Sequence, residues 1–169
     1  MDVFEAIHTR RSVRTFRREP VSEELIREFL AAAMSAPSAG NQQPWHFIVL
    51  KDRDLLEKAS RVHPYVKMAV DAPAAILVCG ELSREKFPGY WVQDCAAATQ
   101  NLLLAIHGKG LGGVWTGIYP IEERVEAFTS LLSLPGGVLP FALVVFGYFD
   151  HDLKRENRFK EDRVHMNGW

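Results

Sequence analysis

The stretch "YWVQDCAAATQNLLLAIH", residues 90–107, predicts a long helix that is apolar on nearly every side. A helix of this kind lies in the middle of a domain or across a subunit interface, because little of its surface is suited to water. Its small residues Ala96, Ala97 and Ala98 would allow another element to approach closely. The rest of the fold is therefore expected to surround this helix or to share it with a second chain.

The segments on either side of this helix mix helical and strand-like patterns. Helices are predicted over residues 2–10, from Ser22 onwards, over 52–60 and over 121–132. Apolar strands are predicted over 45–50, 74–80 and 139–149, and residues 111–120 predict a strand followed by a loop. The elements do not follow a clean βαβ rhythm, and neither a repeat nor a linker divides the chain. The sequence therefore predicts a layered α+β fold in one domain covering residues 1–169, with a polar tail at 150–169 that is too poor in core residues to fold alone.

Composition and charge limit the classes of function. The chain has 169 residues, a formal net charge of −1 and a pI near 6.6, which argues against a general nucleic-acid binder because such proteins need a broad basic surface. No apolar run reaches the roughly 20 residues of a membrane helix, and the first residues do not resemble a secretion signal. The two cysteines, Cys79 and Cys95, resemble small buried hydrophobes, which favours a reducing cytoplasm.

Positive charge is concentrated in "HTRRSVRTFRREP", residues 8–20, which carries five arginines between Arg10 and Arg18. Arg10 and Arg11 fall at the end of the predicted helix 2–10, where cations interact favourably with the helix dipole. In an extended segment after that helix, Ser12 and Arg14 would share one face, and a hydroxyl beside a guanidinium suits phosphate oxygens. Charge alone leaves a solvated surface and a phosphate site equally open.

A second polar stretch is "PSAGNQQPW", residues 37–45, just before a predicted strand. Its amide and hydroxyl side chains, on Ser38, Asn41, Gln42 and Gln43, could read the edge of a planar heterocycle, because an amide both donates and accepts. An ordinary turn is the simpler interpretation of these residue types.

The glycines of "GKGLGGVWTG", residues 108–117, match G-x-G-x-x-G, but in the wrong context for a dinucleotide fingerprint. That fingerprint follows a strand and opens a helix, whereas here a helix precedes and a strand follows. The stretch instead predicts a helix end at Gly108 or Gly110 and then a strand whose end at 115–117 lets a ligand approach the backbone. Motifs of metal sites, P-loops and hydrolytic triads are absent from the sequence, so no metal and no catalytic side chain are predicted.

Four stretches in this order resemble the nitroreductase-like flavoprotein family, and in particular its short members: "RRSVRTF" at 10–16, "APSAGNQQPWHFIVL" at 36–50, "GLGGVWTG" at 110–117 and "RFKEDRVHMNGW" at 158–169. The resemblance implies an α+β fold with a central, mostly antiparallel sheet flanked by helices. It also implies an intertwined homodimer with FMN at the subunit interface. The tail 150–169 of each chain would dock onto the partner subunit.

The resemblance also implies which residues hold the cofactor. Arg10, Arg11, Ser12 and Arg14 would bind the phosphate, ribityl chain and pyrimidine edge of FMN. Ser38, Asn41 and Gln43 would line the isoalloxazine from the partner subunit, and the backbone of Trp115, Thr116 and Gly117 would lie near N5. Arg158 aligns with a phosphate-binding arginine, but Glu156 stands where the family often has a lysine.

The activity implied is that of an FMN-dependent NAD(P)H oxidoreductase. Hydride from NADH or NADPH would reach flavin N5 and then pass, in a ping-pong cycle, to a small-molecule acceptor such as a nitroaromatic, a quinone or another flavin. A guanidinium at the pyrimidine edge, from Arg14 or Arg10, would favour the reduced flavin. Alternatives are reductive dehalogenation or other specialised flavin chemistry of the same family, and a non-catalytic flavin-binding module.

Residues 80–92 are the one segment that could form a lid over such a site. Phe87, Tyr90 and Trp91 could stack on a substrate or belong to the core, and for Trp91 the core is the favoured interpretation.

Overall fold

The computed structural model describes residues 1–153 and 155–169, which form five α-helices and one four-stranded sheet. The helices are α1 (Val3–Thr9), α2 (Glu23–Met34), α3 (Arg53–Val62), α4 (Trp91–Gly108) and α5 (Glu122–Leu132). The strands are β1 (Trp45–Leu50), β2 (Ala74–Glu81), β3 (Gly112–Gly117) and β4 (Val138–Gly147). Every helix and strand predicted from the sequence is present, and the bounds differ by only a few residues.

Local signals explain where several helices begin and end. The first three begin at a side chain that accepts the N–H of the residue three positions on: Asp2 from Glu5, Ser22 from Leu25 and Asp52 from Leu55. Helix α4 ends at Gly108, and Gly110, two residues further on, has a φ of 79°. The N–H of Gly110 donates a hydrogen bond to the His107 carbonyl, and the N–H of Leu111 donates one to the Ile106 carbonyl. This pair of hydrogen bonds is typical of a helix terminated by glycine.

The sheet is antiparallel throughout, in the order β1-β2-β4-β3. The two edge strands are therefore β1 and β3, and Gly117 at the end of β3 pairs with Ala142. The predicted mostly antiparallel central sheet is confirmed.

Helices cover both faces of this sheet. Along β2, Ile76 and Val78 pack in the hydrophobic cluster that includes α2 and α4, whereas Leu77 and Cys79 pack in the cluster that includes α3 and α5. Because both faces are buried, the central strands are continuous apolar runs without the alternation of a half-exposed sheet. Leu102 in α4 is fully buried, so this helix lies in the middle of the domain, the first of its two predicted positions. A subunit interface along α4 stays a prediction.

Two apolar surfaces remain uncovered in the single chain. On α1, the side chains of Val3, Phe4 and Ile7 are exposed although they share one face of the helix. On α4, the side of the helix that carries Ala96 and Ala97 is only half-buried. These surfaces are available to a second protein chain.

The tail contributes little to the fold described above. Residues 155–169 are all exposed, and their regular structure is one short turn at Glu161–Arg163. Met166 and Trp169 extend into solvent at its end. Docking of this tail onto a partner subunit stays a prediction.

Candidate functional site

The segment after α1 is held against the edge of the sheet. Ser12 forms a parallel bridge with Gly113, and the Val13 N–H donates to the Gly113 carbonyl at 3.2 Å. The Val13 side chain is fully buried, and a Cβ at Gly112 would lie 2.6 Å from it, so this close approach requires glycine at 112. Since Val13 points inward, Ser12 and Arg14 point outward together, as the sequence predicted.

The first of two clefts next to this segment, here called the arginine cleft, has a volume of about 660 Å³. It brings together three of the predicted phosphate ligands, Arg10, Arg11 and Arg158, which come from opposite ends of the chain. Its other lining residues are Ile7, His8, Arg155, Glu156, Asn157 and Phe159.

Arg11 has unused hydrogen-bonding capacity in this cleft. Its Nη1 donates to the carbonyls of His8 at 3.1 Å and Arg10 at 2.7 Å. Its Nε and Nη2 are buried and have no hydrogen-bond partner among the described residues. An unsatisfied buried donor costs about 1–3 kcal/mol, so the geometry favours a bound acceptor. A phosphate supplies acceptor oxygens of matching charge, and the residues present therefore fit the phosphate group of FMN.

The positive charges in the arginine cleft also repel one another. Burial lowers the pKa of Arg10 from its usual value, and the neighbouring guanidinium groups of Arg11 and Arg158 lower it further. A bound anion would relieve this repulsion, which adds an electrostatic reason for the same ligand class.

One carboxylate lies among these arginines. Arg158 donates from Nε and Nη2 to Oε2 of Glu156, at 3.0 and 2.9 Å, and the Nε of Arg11 lies 3.9 Å from the same oxygen. Hydrogen bonds from Arg158, together with the charges of Arg158 and Arg11, lower the pKa of Glu156. Glu156 is therefore held as an anion in the cleft.

The second cleft, here called the strand-edge cleft, has a volume of about 340 Å³ and joins Arg14 to the end of β3. It brings Arg14 together with Trp115, Thr116 and Gly117, as the sequence predicted. Its remaining lining residues are Pro64, Tyr65, Lys67, Met68 and Val114. Lys67 was missed because a single lysine in "VHPYVKMAV" carries no motif; only the fold places its charge beside Arg14.

The backbone at the end of β3 presents donors to this cleft. The carbonyls of Gly113 and Gly117 both face away from β4, because they accept bonds from Val13 and from the side chains of His63 and Arg124. Along an extended strand every second residue points the same way, so the N–H groups of Trp115 and Gly117 face this open edge too. The Thr116 side chain is not available to a ligand, since its hydroxyl is buried and donates to the Leu143 carbonyl at 2.7 Å.

His63 positions the Gly117 peptide. Its Nδ1 accepts the N–H of Tyr65 at 3.1 Å, so Nε2 carries the proton and donates to the Gly117 carbonyl at 2.8 Å. Burial lowers the pKa of His63, and the charge of Arg124 lowers it further, which keeps the ring neutral. No motif in the sequence marks His63, and the structure gives it a positioning contact to the predicted site residue Gly117.

His107 connects the end of α4 to α1 behind the arginine cleft. The Thr9 hydroxyl donates to the Glu5 carbonyl at 2.7 Å, so it accepts its second bond, at 2.7 Å, from Nε2 of His107. Burial lowers the pKa of His107, and Arg10 and Arg11 lower it further.

These two buried histidines predict how stability depends on pH. Both pKa values are lower in the folded chain than the ordinary 6.5, so below about pH 6.5 the unfolded chain binds more protons and the free energy of unfolding falls as the pH drops. Urea unfolding at pH 7.5, 6.5 and 5.5 measures this loss. His107→Gln, which keeps a donor near Thr9, should reduce the loss, whereas His151→Gln on the surface should not. Equal pH dependence in all three proteins would contradict the assignment.

The loop at 38–43 lies apart from both clefts. Ser38 accepts the N–H of Gln43 at 3.0 Å, and Asn41 and Gln43 adopt φ values of 53° and 47°. None of the three is among the described residues that line the arginine cleft or the strand-edge cleft. Their predicted place beside a flavin therefore requires a second copy of the chain and stays a prediction.

Asp94 in the first turns of α4 fixes this loop, and the sequence did not indicate it. Its Oδ1 accepts the Ala39 N–H at 2.9 Å and its Oδ2 accepts the Gln42 amide at 2.6 Å. The side-chain oxygen of Gln42, Oε1, in turn accepts a hydrogen bond from the backbone N–H of Lys86 at 2.8 Å. Gln42 and Asp94 are both buried, so this amide ties the loop to the segment before α4 and is not free to bind a ligand.

The segment 80–92 combines surface and core aromatics. Trp91 is buried, which confirms its favoured interpretation as a core residue, whereas Phe87 and Tyr90 are about half exposed. The Phe87 ring packs on Gly40, where a Cβ would lie 2.7 Å from it. The two exposed rings therefore lie beside the loop that carries Ser38, Asn41 and Gln43.

Neither a metal-binding cluster nor a membrane-spanning helix is present in the part of the chain that the structure describes. There, no group of three or more histidine, cysteine or acidic side chains is arranged to hold a metal ion. In those same residues, no helix combines the length and the apolar character needed to cross a membrane.

Comparison with known proteins extends the resemblance to nearly the whole chain. The model of the nitroreductase family matches residues 7–63 and 59–148. A protein of Methanothermobacter thermautotrophicus, provisionally named NADH dehydrogenase/NAD(P)H nitroreductase, is 52% identical over 169 residues, which is 100% of this chain and 88% of that protein. The crystal structure of a protein with the same provisional name from Bacteroides thetaiotaomicron is 40% identical, with a TM-score of 0.94 over 98% of this chain and 97% of that one. A provisionally named nitroreductase of Desulfovibrio desulfuricans, solved in complex with FMN, is 28% identical, with a TM-score of 0.85 over 100% of this chain and 98% of that one.

Proposed function

The chain belongs to the nitroreductase family, and from that premise we propose that it is an FMN-dependent NAD(P)H oxidoreductase. We propose nitroaromatics, quinones or flavins as the class of small molecule that it reduces. The observation that carries the proposal is the arginine cleft, in which Arg11 holds two buried N–H groups, without a partner in the described part of the chain, beside Arg10 and Arg158. A phosphate-bearing cofactor supplies what these groups lack.

The two clefts suit the two ends of FMN. The arginine cleft would hold the phosphate through Arg10, Arg11 and Arg158, with the Ser12 hydroxyl next to it. The strand-edge cleft would hold the isoalloxazine against Trp115, Thr116 and Gly117, with Arg14 at its edge. The segment from Arg10 to Arg14 joins the clefts, which supports their use by one elongated ligand.

When bound, FMN would supply the redox chemistry, by accepting hydride from NADH or NADPH and passing electrons to the acceptor. The protein's own contribution is electrostatic and positional. The guanidinium of Arg14 and the ammonium of Lys67 stabilise negative charge in the strand-edge cleft. The backbone N–H groups of Trp115 and Gly117 donate from a strand edge whose Gly117 carbonyl is fixed by His63 and Arg124.

We also propose that the working form is an intertwined homodimer of one-domain chains covering residues 1–169. A second copy would cover the exposed apolar face of α1 and the half-buried side of α4, and it would receive the tail 150–169. It would also bring its loop 38–43, with Ser38, Asn41 and Gln43, to the flavin. Sedimentation equilibrium measures this directly, and a monomer with full flavin content would contradict the proposal.

We propose a cytoplasmic location because both cysteines are free thiols. Cys79 and Cys95 are free and buried, and burial raises the pKa of Cys79 to about 12 and that of Cys95 further still. Thiols held protonated in this way are structural and need no oxidising compartment.

An anaerobic titration tests the proposed activity. The purified protein, loaded with FMN, should lose its flavin absorption near 450 nm on addition of NADH or NADPH, by the ordinary optical signature of flavin reduction, and regain it on addition of a quinone or a nitroarene. A protein that binds FMN but is not reduced would be a flavin-binding module without turnover. A protein that refuses FMN would overturn the proposal.

Arg14→Ala should bind FMN more weakly without loss of fold. Arg14 is exposed and its side chain lines the strand-edge cleft, so its removal costs a charge-assisted contact to the ligand and little stability. The expected loss of FMN affinity is about tenfold to a hundredfold. Arg17→Ala is the control, because Arg17 is also exposed but pairs with Glu19 and Asp150 outside both clefts. Flavin content equal to the control in the purified Arg14 variant would refute the assignment.

A further inference from the structure

Glu156 is the one acidic side chain among the described residues that line the arginine cleft. Both of the hydrogen bonds that Arg158 makes end on its Oε2, at 3.0 and 2.9 Å. The same oxygen lies 3.9 Å from Nε of Arg11, which has no hydrogen-bond partner among residues 1–153 and 155–169. A single carboxylate oxygen therefore stands between two of the guanidinium groups that a phosphate would use.

This carboxylate serves the cluster less well than a phosphate would. A carboxylate brings one negative charge and two oxygens, whereas a phosphate monoester brings nearly two charges and three terminal oxygens. Oε2 takes both bonds of Arg158 but is too far from Arg11 for a hydrogen bond. Because the Glu156 side chain is 57% exposed, it can rotate into solvent when a better anion arrives.

We propose that Glu156 is a tethered competitor of the ligand phosphate: its carboxylate is bonded to the guanidinium of Arg158 and lies beside that of Arg11 until a phosphate displaces it. The proposal deepens the proposed function, on which it rests, by naming the residue that sets how tightly the site holds a phosphate-bearing flavin. A flavin without a phosphate does not have to displace Glu156. Glu156 therefore weakens the binding of FMN but not that of a flavin without a phosphate. Bound FMN consequently exchanges more easily with FMN in solution.

The size of the effect follows from the exposure of the ion pair. The site can bind a phosphate only in the fraction of molecules in which Glu156 has left the guanidinium groups. The apparent affinity is the intrinsic affinity multiplied by this competent fraction. A solvent-exposed ion pair between arginine and glutamate contributes little, so the competent fraction is reduced by about fivefold.

Removal of the charge at 156 tests the proposal. Glu156→Gln keeps the size of the side chain, and Glu126→Gln on α5 removes an equal charge from an exposed position away from the clefts. Each protein is titrated with FMN and with riboflavin, followed by flavin fluorescence, and with inorganic phosphate, followed by the midpoint of thermal unfolding. Glu156→Gln should bind FMN about fivefold more tightly than the original protein, and it should also bind inorganic phosphate more tightly. Its affinity for riboflavin should be unchanged. Glu126→Gln should match the original protein in all three titrations.

Each other outcome has a distinct meaning. Equal gains for FMN and riboflavin, or no gain for inorganic phosphate, would overturn the role of Glu156. A loss of phosphate binding would also overturn it, because it would mean that Glu156 orders Arg158 for the ligand. If neither flavin binds to any of the three proteins, the proposed function fails, and the phosphate titration still decides whether Glu156 competes for the arginine cleft.

Discussion

Arg11→Met should bind FMN at least about a hundredfold more weakly than the original protein while its unfolding temperature stays within about 4 °C of the original. The loss of affinity follows because no described residue accepts a bond from the buried Nε and Nη2 groups of Arg11 in the arginine cleft, and an anion there would satisfy both. Charge-assisted bonds from a guanidinium in a partly dehydrated position are among the stronger polar contacts in proteins.

Two opposing changes set the unfolding temperature of Arg11→Met. Methionine removes two unsatisfied buried donors and one of the charges that repel Arg10 and Arg158. It also loses the bonds from Nη1 to the carbonyls of His8 and Arg10, so the gain and the loss offset to within about 1 kcal/mol. A residue kept for a ligand at no benefit to the free protein is expected at a binding site.

Arg18→Met is the matched control for this pair of measurements. Arg18 is 71% exposed, pairs with Asp71 and lies outside the arginine cleft. Isothermal titration with FMN and thermal unfolding of the free proteins give both quantities. A strong fall in the unfolding temperature of Arg11→Met, with FMN affinity retained, would assign Arg11 to the structure of the α1 terminus instead.

Asp94→Ala is expected to lose about 3 kcal/mol of unfolding free energy, which lowers the unfolding temperature by roughly 6–12 °C. The buried carboxylate accepts bonds from the Ala39 N–H and from the Gln42 amide, and its removal leaves both donors unsatisfied. The loop 38–43 then loses its attachment to α4. Protease cleavage within residues 35–44 should therefore increase together with the loss of stability.

Asp94→Asn separates the hydrogen bonds from the charge. Its carbonyl oxygen can keep one of the two bonds, so the expected loss lies between those of the original protein and Asp94→Ala. Asp152→Ala, at an exposed position, should leave stability unchanged. Equal stability of the two Asp94 variants would show that hydrogen bonding to the loop is not what this residue contributes.

The fold was predictable from the sequence because its signals are local or periodic. Asp2 and Ser22 cap helices within three residues of themselves, and Gly110, two residues after the end of α4, has a positive φ. The buried strands are recognised as apolar runs. On α1 the periodicity predicted the helix correctly, but its shared face of Val3, Phe4 and Ile7 is exposed because this chain does not cover it.

The functional residues divide in the same way. Arg10, Ser12 and Arg14 lie in one short motif, so their neighbourhood could be predicted. Lys67 and Asp94 could not, because one is a single charge outside any motif and the other acts on a loop 55 residues away in sequence. Their roles depend on contacts that no spacing along the chain specifies.

By itself the sequence determined the helices, the strands, the α+β class and the motifs that mark a cofactor site, since each of these depends on residues within a few positions of one another. Only the tertiary structure decided that Arg158 reaches Arg10 and Arg11, that Glu156 lies between the guanidinium groups of Arg158 and Arg11, and that Lys67 joins Arg14 at the edge of β3. The physical reason is that charges act through space over several ångströms, whereas a sequence pattern records only distance along the chain.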